Sequence, residues 1–142
     1  MELKTIHYNV EGSCATIMLS RPHKRNAWTG RMHTEYRHCL VLAEENPAVR
    51  VIVVTGDPEG KAFCAGADLG GLEKISEKGE YDAGIDDTIA KPGYGIAEEF
   101  DATFAYHFGL SKPTIAAING AAAGVGLVLA AYCDLRFAVA GA

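Results

Sequence analysis

The sequence predicts an α/β fold with repeated crossovers, and three observations carry that prediction. Short apolar runs of strand length, such as Val51-Ile52-Val53-Val54 and Thr114-Ile115-Ala116-Ala117-Ile118, alternate with stretches of helical period. Two segments, Lys61–Leu69 and Asn119–Leu127, each read as a strand that ends at small residues and turns into a helix. The resulting order is β-hairpin, helix, strand, strand, turn, helix, strand, turn, helix, strand, which is an α/β pattern.

Thr5 to Val10 alternates like an edge strand, and Glu11-Gly12-Ser13 is a turn. Cys14 to Leu19 is the second arm of that hairpin. Thr29 or Asn26 caps a helix that runs to about Asn46, with Met32, Tyr36, Cys39, Leu40 and Ala43 as its apolar stripe. Val49 to Thr55 is a strand around the β-branched run Val51-Ile52-Val53-Val54, expected to be buried on both faces. Ala62-Phe63-Cys64 is a short strand, and Leu69 to about Glu77 a short helix or frayed segment. Tyr81 to Gly95 is acidic, carries Gly84, Pro92, Gly93 and Gly95, and reads as a mobile loop. Ile96 to Leu110 resumes a helix, with Ile96, Phe100, Phe104 and Phe108 expected in the core. Thr114 to Ile118 is another buried strand, Gly124 to Tyr132 a small-residue helix and Leu135 to Val139 a final strand. The chain stops at Gly141-Ala142 with no closing helix, so a missing C-terminal portion is expected.

The chain has 142 residues and 49% hydrophobic content, enough for one domain with a core. It has no run of about 18 apolar residues, so no membrane span is expected. The N-terminus lacks the apolar segment of a secretory signal, and a cytoplasmic location is expected. The net charge is −5 and uneven. Glu73 to Asp101 holds nine acidic and three basic residues, whereas the remainder holds nine and ten. A near-neutral body with one acidic insertion is a poor partner for nucleic acid. The four cysteines, Cys14, Cys39, Cys64 and Cys133, include no CxxC pair, so buried reduced thiols are expected rather than zinc ligands. The five histidines form no HExxH pattern; His33 and His38 are five apart, and surface positions are expected.

The two glycine-bearing turns carry the chemistry. Small residues let a ligand approach the backbone, and a helix start leaves N–H groups without internal partners. Two such turns facing one another offer two donors to one oxygen, which suits a carbonyl that becomes an enolate or a tetrahedral oxyanion. The competing reading is that Gly124 and Gly126 merely pack a helix tightly against a sheet.

Ala62-Phe63-Cys64-Ala65-Gly66-Ala67-Asp68-Leu69, paired with Pro113-Thr114-Ile115-Ala116-Ala117-Ile118-Asn119-Gly120-Ala121-Ala122-Ala123-Gly124-Val125-Gly126, resembles the crotonase (enoyl-CoA hydratase/isomerase) superfamily. Arg21-Pro22-His23-Lys24-Arg25-Asn26-Ala27 looks like that family's N-terminal coenzyme A segment, and Cys133 to Ala138 like its next strand. Nearly the whole chain is covered, with four motifs in order. The resemblance implies a crotonase-like (ClpP/crotonase) spiral of ββα repeats, with residues 1–142 as its N-terminal core domain and a helical C-terminal part missing. It also implies an acyl-CoA thioester substrate, homotrimers or paired hexamers, and no metal or redox cofactor, since coenzyme A travels with the substrate.

By position, the resemblance makes Ala67 and Val125 the two oxyanion donors. Val125 stands where relatives usually carry Gly; a backbone donor survives that change, although the branched side chain narrows the acyl pocket. Lys24 and Arg25 are the candidates for the anionic end of coenzyme A, because paired cations engage phosphate oxygens. An ordinary solvated pair is the competing reading. Ala65, Gly66 and Asp68 line the turn that would hold adenine and pantetheine, with Gly124 facing them. Asp68 reads as a cap for the N–H groups that follow rather than as an acid. The family's first catalytic glutamate falls on Val128, which cannot transfer a proton, and the second falls beyond Ala142. An isomerase, thioesterase, decarboxylase or differently built hydratase stays open. So does a noncatalytic acyl-CoA-binding or assembly module.

Other classes fit less well. Gly124-Val125-Gly126-Leu127-Val128-Leu129 lacks the third glycine of a dinucleotide fingerprint, and no Gly-Lys-Ser/Thr phosphate loop is present. Cys64 lies at the first turn without an evident histidine, so a buried thiol is the preferred reading. Glu98, Glu99 and Asp101 read as a solvated helix face, and Trp28 as packing.

Overall fold

The computed structural model describes residues 1–70 and 105–142. β1 (Ile6–Glu11) and β2 (Cys14–Leu19) form the hairpin, antiparallel, with Ile6 opposite Leu19 and Glu11 opposite Cys14. α1 (Gly30–Glu45) then crosses to β3 (Val51–Gly56), which lies parallel to β2. After the short β4 (Ala62–Cys64), the chain reaches β5 (Thr114–Ile118), parallel to β3 on its other side. Two residues, β6 (Ala121–Ala122), pair in parallel with β4 as a separate small sheet. α2 (Val125–Tyr132) leads to β7 (Leu135–Ala138), parallel to β5. The main sheet therefore has the order β1-β2-β3-β5-β7.

Local chemistry explains where α1 starts and stops. The Thr29 hydroxyl accepts from the Met32 N–H at 3.1 Å, so Thr29 is the cap. Lys112 Nζ donates to the carbonyls of Ala43 and Asn46 at the other end, where a cation complements the helix dipole. The stripe Met32, Tyr36, Cys39, Leu40 and Ala43 is fully buried against Ala15, Ile17, Leu19, Ile52 and Val54 of the sheet. Glu35 lies on this helix with no exposure. Its carboxylate accepts from the N–H groups of Lys4 and Thr5, the Thr5 hydroxyl and Arg31 Nε, and this set of charge-assisted bonds offsets its desolvation.

Four expectations are corrected. β3 is buried on one face only: Ile52 and Val54 are inside, while Val51, Val53 and Thr55 are half-buried. Its β-branched run reflects strand propensity as well as burial. Residues 105–109 form a 3₁₀ turn, Ala105–Gly109, rather than the end of a regular helix. That tighter winding buries Tyr106 and His107 and turns Phe108 outward, 61% exposed. His33 and His107 are buried rather than on the surface, packed edge-on against Tyr106. β6 was not expected at all, because two alanines carry no strand signal of their own. The expected helix after Leu69, the loop at 81–95 and the positions of Phe100, Phe104, Glu98, Glu99 and Asp101 lie outside the described residues.

Candidate functional site

The first turn is built by two stretches of backbone running side by side. The Ala65 N–H donates to the Arg25 carbonyl at 3.1 Å, the Trp28 N–H to the Gly66 carbonyl at 2.8 Å, and the Asp68 N–H to the Trp28 carbonyl at 2.8 Å. Trp28 and Ala67 thereby form a parallel bridge. In such a bridge the groups flanking Ala67 make the bonds, so its own N–H points to the opposite side. Val125 is the first residue of α2, and its N–H has no carbonyl within the helix to meet. Neither amide has a hydrogen-bond partner among the described residues.

The two turns lie against one another. The Ala123 N–H donates to the Cys64 carbonyl at 3.0 Å, extending the β4–β6 pairing into the turns. Gly66 adopts φ +104 and Gly124 φ +50, both in the region that glycine tolerates best. A Cβ on Gly66 would stand 3.3 Å from the Ala123 carbonyl oxygen, and one on Gly124 3.7 Å from the Gly66 Cα. Gly126 makes the closest approach. A Cβ there would fall 2.7 Å from the Cys64 Cβ and closer still to the Cys64 carbonyl oxygen. Tight packing and unpartnered amides therefore coexist: the glycines bring α2 down onto β4, and that approach sets the helix-side and strand-side amides in neighbouring turns.

The remaining expected residues fall around this junction. Asp68 accepts from the Gly70 N–H at 3.0 Å, the geometry of a cap, and its other oxygen pairs with Arg21 at 3.0 Å. Lys24 ends the 3₁₀ turn Pro22–Lys24, and Arg25 follows it in the left-handed region. Both side chains are exposed and make no ion pair among the described residues. The Arg25 carbonyl is the acceptor for Ala65, so this cationic pair is tied directly to the first turn. Val128 is 40% exposed on the first turn of α2. Cys64 is buried, and burial raises its thiol against the opposing effect of nearby backbone N–H groups. A thiol held in its neutral form is a poor nucleophile.

Two residues were missed as builders of the site. Asn26 is fully buried; it accepts from the Arg21 N–H and donates to the carbonyls of Asp57 and Ala62. Arg21 donates to the Ala27 carbonyl at 2.7 Å as well as to Asp68. The sequence placed both inside a cationic segment, and nothing in their spacing singled them out as internal hydrogen-bonding groups. A separate open cleft of about 260 Å³ lies at the carboxyl ends of β3, β5 and β7, lined by Thr55, Ala117, Ile118, Asn119, Phe137, Ala138 and Val139. It is apolar and carries no charged group.

Comparison with known proteins places the chain. The family model described as Enoyl-CoA hydratase/isomerase matches residues 9–142. A Mycobacterium tuberculosis protein named "Probable enoyl-CoA hydratase" is 39% identical over 130 residues, covering 92% of this chain and 45% of the relative. The 1,2-epoxyphenylacetyl-CoA isomerase of Escherichia coli is 33% identical over 132 residues, again 92% of this chain and 45% of the relative. A crystal structure of an enoyl-CoA hydratase/isomerase from Mycobacterium paratuberculosis superposes with a TM-score of 0.77 at 33% identity, covering 99% of this chain and 50% of that one. The chain thus spans about half the length of the relatives it matches.

Proposed function

The chain belongs to the enoyl-CoA hydratase/isomerase family and has the crotonase fold, and from that premise we propose that the whole protein processes an acyl-CoA thioester. The Ala67 and Val125 amides would form a two-donor oxyanion hole for the thioester oxygen. The observation that carries this reading is the junction of the two turns. Each turn presents one N–H that folding leaves unused, and backbone contacts fix the turns against each other. When an α-proton leaves a thioester, or a nucleophile adds to it, negative charge collects on that oxygen. Rigid donors aimed there cost no reorganisation as the charge develops.

Lys24 and Arg25, exposed and tied to the first turn, would meet the phosphates of coenzyme A. Ala65, Gly66, Asp68 and Gly124 would form the wall along which the pantetheine arm runs. Asp68 is committed to capping Gly70 and pairing with Arg21, so it is not the acid or base in this reading. The proton-transfer group lies elsewhere, because Val128 occupies the exposed first-turn position of α2. That same valine favours a second reading, a noncatalytic module that binds acyl-CoA without turning it over.

The test uses crotonyl-CoA as a short enoyl-CoA probe. Saturable binding and loss of the enoyl thioester absorbance are expected. Ala67→Pro removes one donor without breaking the Trp28 bridge, and should lower kcat by about 10²–10³-fold. Binding without turnover, unchanged by Val128→Glu, would select the module reading. No saturable binding would sink the acyl-CoA assignment.

A further inference from the structure

We propose that Arg21 is a positioning residue for the Ala67 oxyanion donor, acting by riveting the two backbone stretches whose bridge sets that amide's direction. The inference rests on the oxyanion-hole reading and adds to it a side chain that touches neither substrate nor donor.

The direction of the Ala67 N–H depends on the bridge to Trp28. That bridge consists of the Trp28 N–H on the Gly66 carbonyl and the Asp68 N–H on the Trp28 carbonyl, each at 2.8 Å. It is an isolated bridge, outside any longer ladder that would hold it in register. The first stretch is also irregular, since Arg25 and Asn26 both have positive φ (52 and 56). Such a short contact needs help from side chains to keep a fixed orientation.

Arg21 supplies it from one nitrogen. Its Nη1 donates to the Ala27 carbonyl at 2.7 Å, on the residue before Trp28, and to the Asp68 carboxylate at 3.0 Å, on the residue after Ala67. One planar guanidinium thus holds both sides of the bridge, one peptide away from each bridging residue. The ion pair is mostly shielded, with side-chain exposures of 16% for Arg21 and 19% for Asp68. Shielding makes it stiffer and less sensitive to salt than a surface pair. The root of Arg21 is fixed in turn, because its own N–H donates to the buried Asn26 side chain at 3.0 Å. The other oxygen of Asp68 caps Gly70, so the carboxylate itself cannot swing.

Without the guanidinium, the Trp28–Ala67 bridge would lose the side chain that spans it and keep its two backbone bonds, with the Ala65–Arg25 bond to one side only. The Ala67 peptide plane would then sample orientations off the thioester oxygen. Donor strength falls steeply with angle, so the loss would be felt where charge develops rather than in substrate binding. A lysine at this position keeps the positive charge but replaces the rigid planar guanidinium with a flexible ammonium, and should restore part of the effect.

Three measurements on wild type, Arg21→Met and Arg21→Lys test the proposal. In the absence of ligand, amide exchange at Trp28 and Asp68 should speed up about tenfold or more in R21M, with the β1–β2 amides unchanged and R21K intermediate. With crotonyl-CoA bound, the thioester carbonyl stretch should move to lower frequency on wild type and move less on R21M. Turnover of crotonyl-CoA should fall about tenfold or more in kcat with little change in KM. Unchanged exchange at Trp28 and Asp68 in R21M overturns the role of Arg21 outright. A carbonyl band that moves equally on wild type and R21M overturns it while leaving the oxyanion reading standing. A wild-type protein that binds crotonyl-CoA without moving the band overturns the oxyanion reading, and the role of Arg21 with it.

Discussion

Replacing Gly126 by alanine tests whether α2 truly rests on β4. The added Cβ would lie 2.7 Å from the Cys64 Cβ and 3.1 Å from its carbonyl carbon. Carbon atoms in contact sit about 3.5–4.0 Å apart, so α2 must retreat by about 1 Å. Neither neighbour can yield easily, since Cys64 is fully buried and part of β4. A retreat of that size stretches the 3.0 Å bond from Ala123 to the Cys64 carbonyl past useful length. Overpacking of this kind costs about 1–3 kcal/mol, and the lost hydrogen bond about 1 kcal/mol more. Alanine also gains about 1 kcal/mol in helix propensity, which opposes the clash. The net expectation is a destabilisation of about 1–3 kcal/mol, read as a lower urea midpoint at unchanged slope. Leu127→Ala serves as a control on the same helix, because Leu127 is 59% exposed and should change stability by less than about 0.5 kcal/mol. A Gly126→Ala protein as stable as wild type, or more so, would mean that the helix stands off the strand. The two turns would then not share one site, and the geometric basis for the oxyanion hole would be gone.

Asn26→Ala removes three hydrogen bonds made by a buried side chain and takes the Asn26 amide away from the Arg21 N–H and the Ala62 carbonyl; a loss of about 2–4 kcal/mol is expected in urea unfolding, and a change under 0.5 kcal/mol would refute the view that Asn26 pins the cationic segment to β4. Stability should also depend on pH through His33 and His107, both lowered to about 4, chiefly by burial. Their folded pKa lies below the ordinary value of 6.5, so the contribution is fully present above about pH 6.5. It is lost as the pH falls through about 4, because the unfolded chain takes up protons that the folded one does not. Each histidine adds a slope approaching about 1.4 kcal/mol per pH unit within that window. Urea midpoints at pH 7 and pH 5 should therefore differ, and His107→Gln should flatten the dependence by about half. A flat profile for the wild type would show that these rings are not held neutral in the fold.

Periodicity was most informative where burial and propensity agreed. The hairpin, the α1 stripe and the β5 run were legible because their apolar spacing matched the side of the element that packs. It failed where packing overrode pattern. Phe108 has the spacing of a core residue, yet the 3₁₀ winding of residues 105–109 turns it out and buries His107, whose Nε2 lies 2.7 Å from the Tyr36 hydroxyl. His33 was hidden in the same way. A histidine between Met32 and Thr34 carries no burial signal of its own until the Trp28 and Tyr106 rings pack edge-on against it. β6 is only two alanines long and became a strand because β4 lies beside it.

The α/β order of elements and the two small-residue turns can be read from the residues alone. These follow from local rules: turn chemistry, helix starts and the period of apolar side chains. That the turns touch emerges from packing, because contact between Cys64 and the distant Ala123 and Gly126 depends on how closely α2 can approach β4. Only the structure also showed that Arg21 and Asn26 face inward, since a polar side chain's direction depends on which carbonyls fold brings within its reach. The resemblance to the family is what singles out the amides at Ala67 and Val125. What leaves them without a partner among the described residues is the bridge to Trp28 and the start of α2.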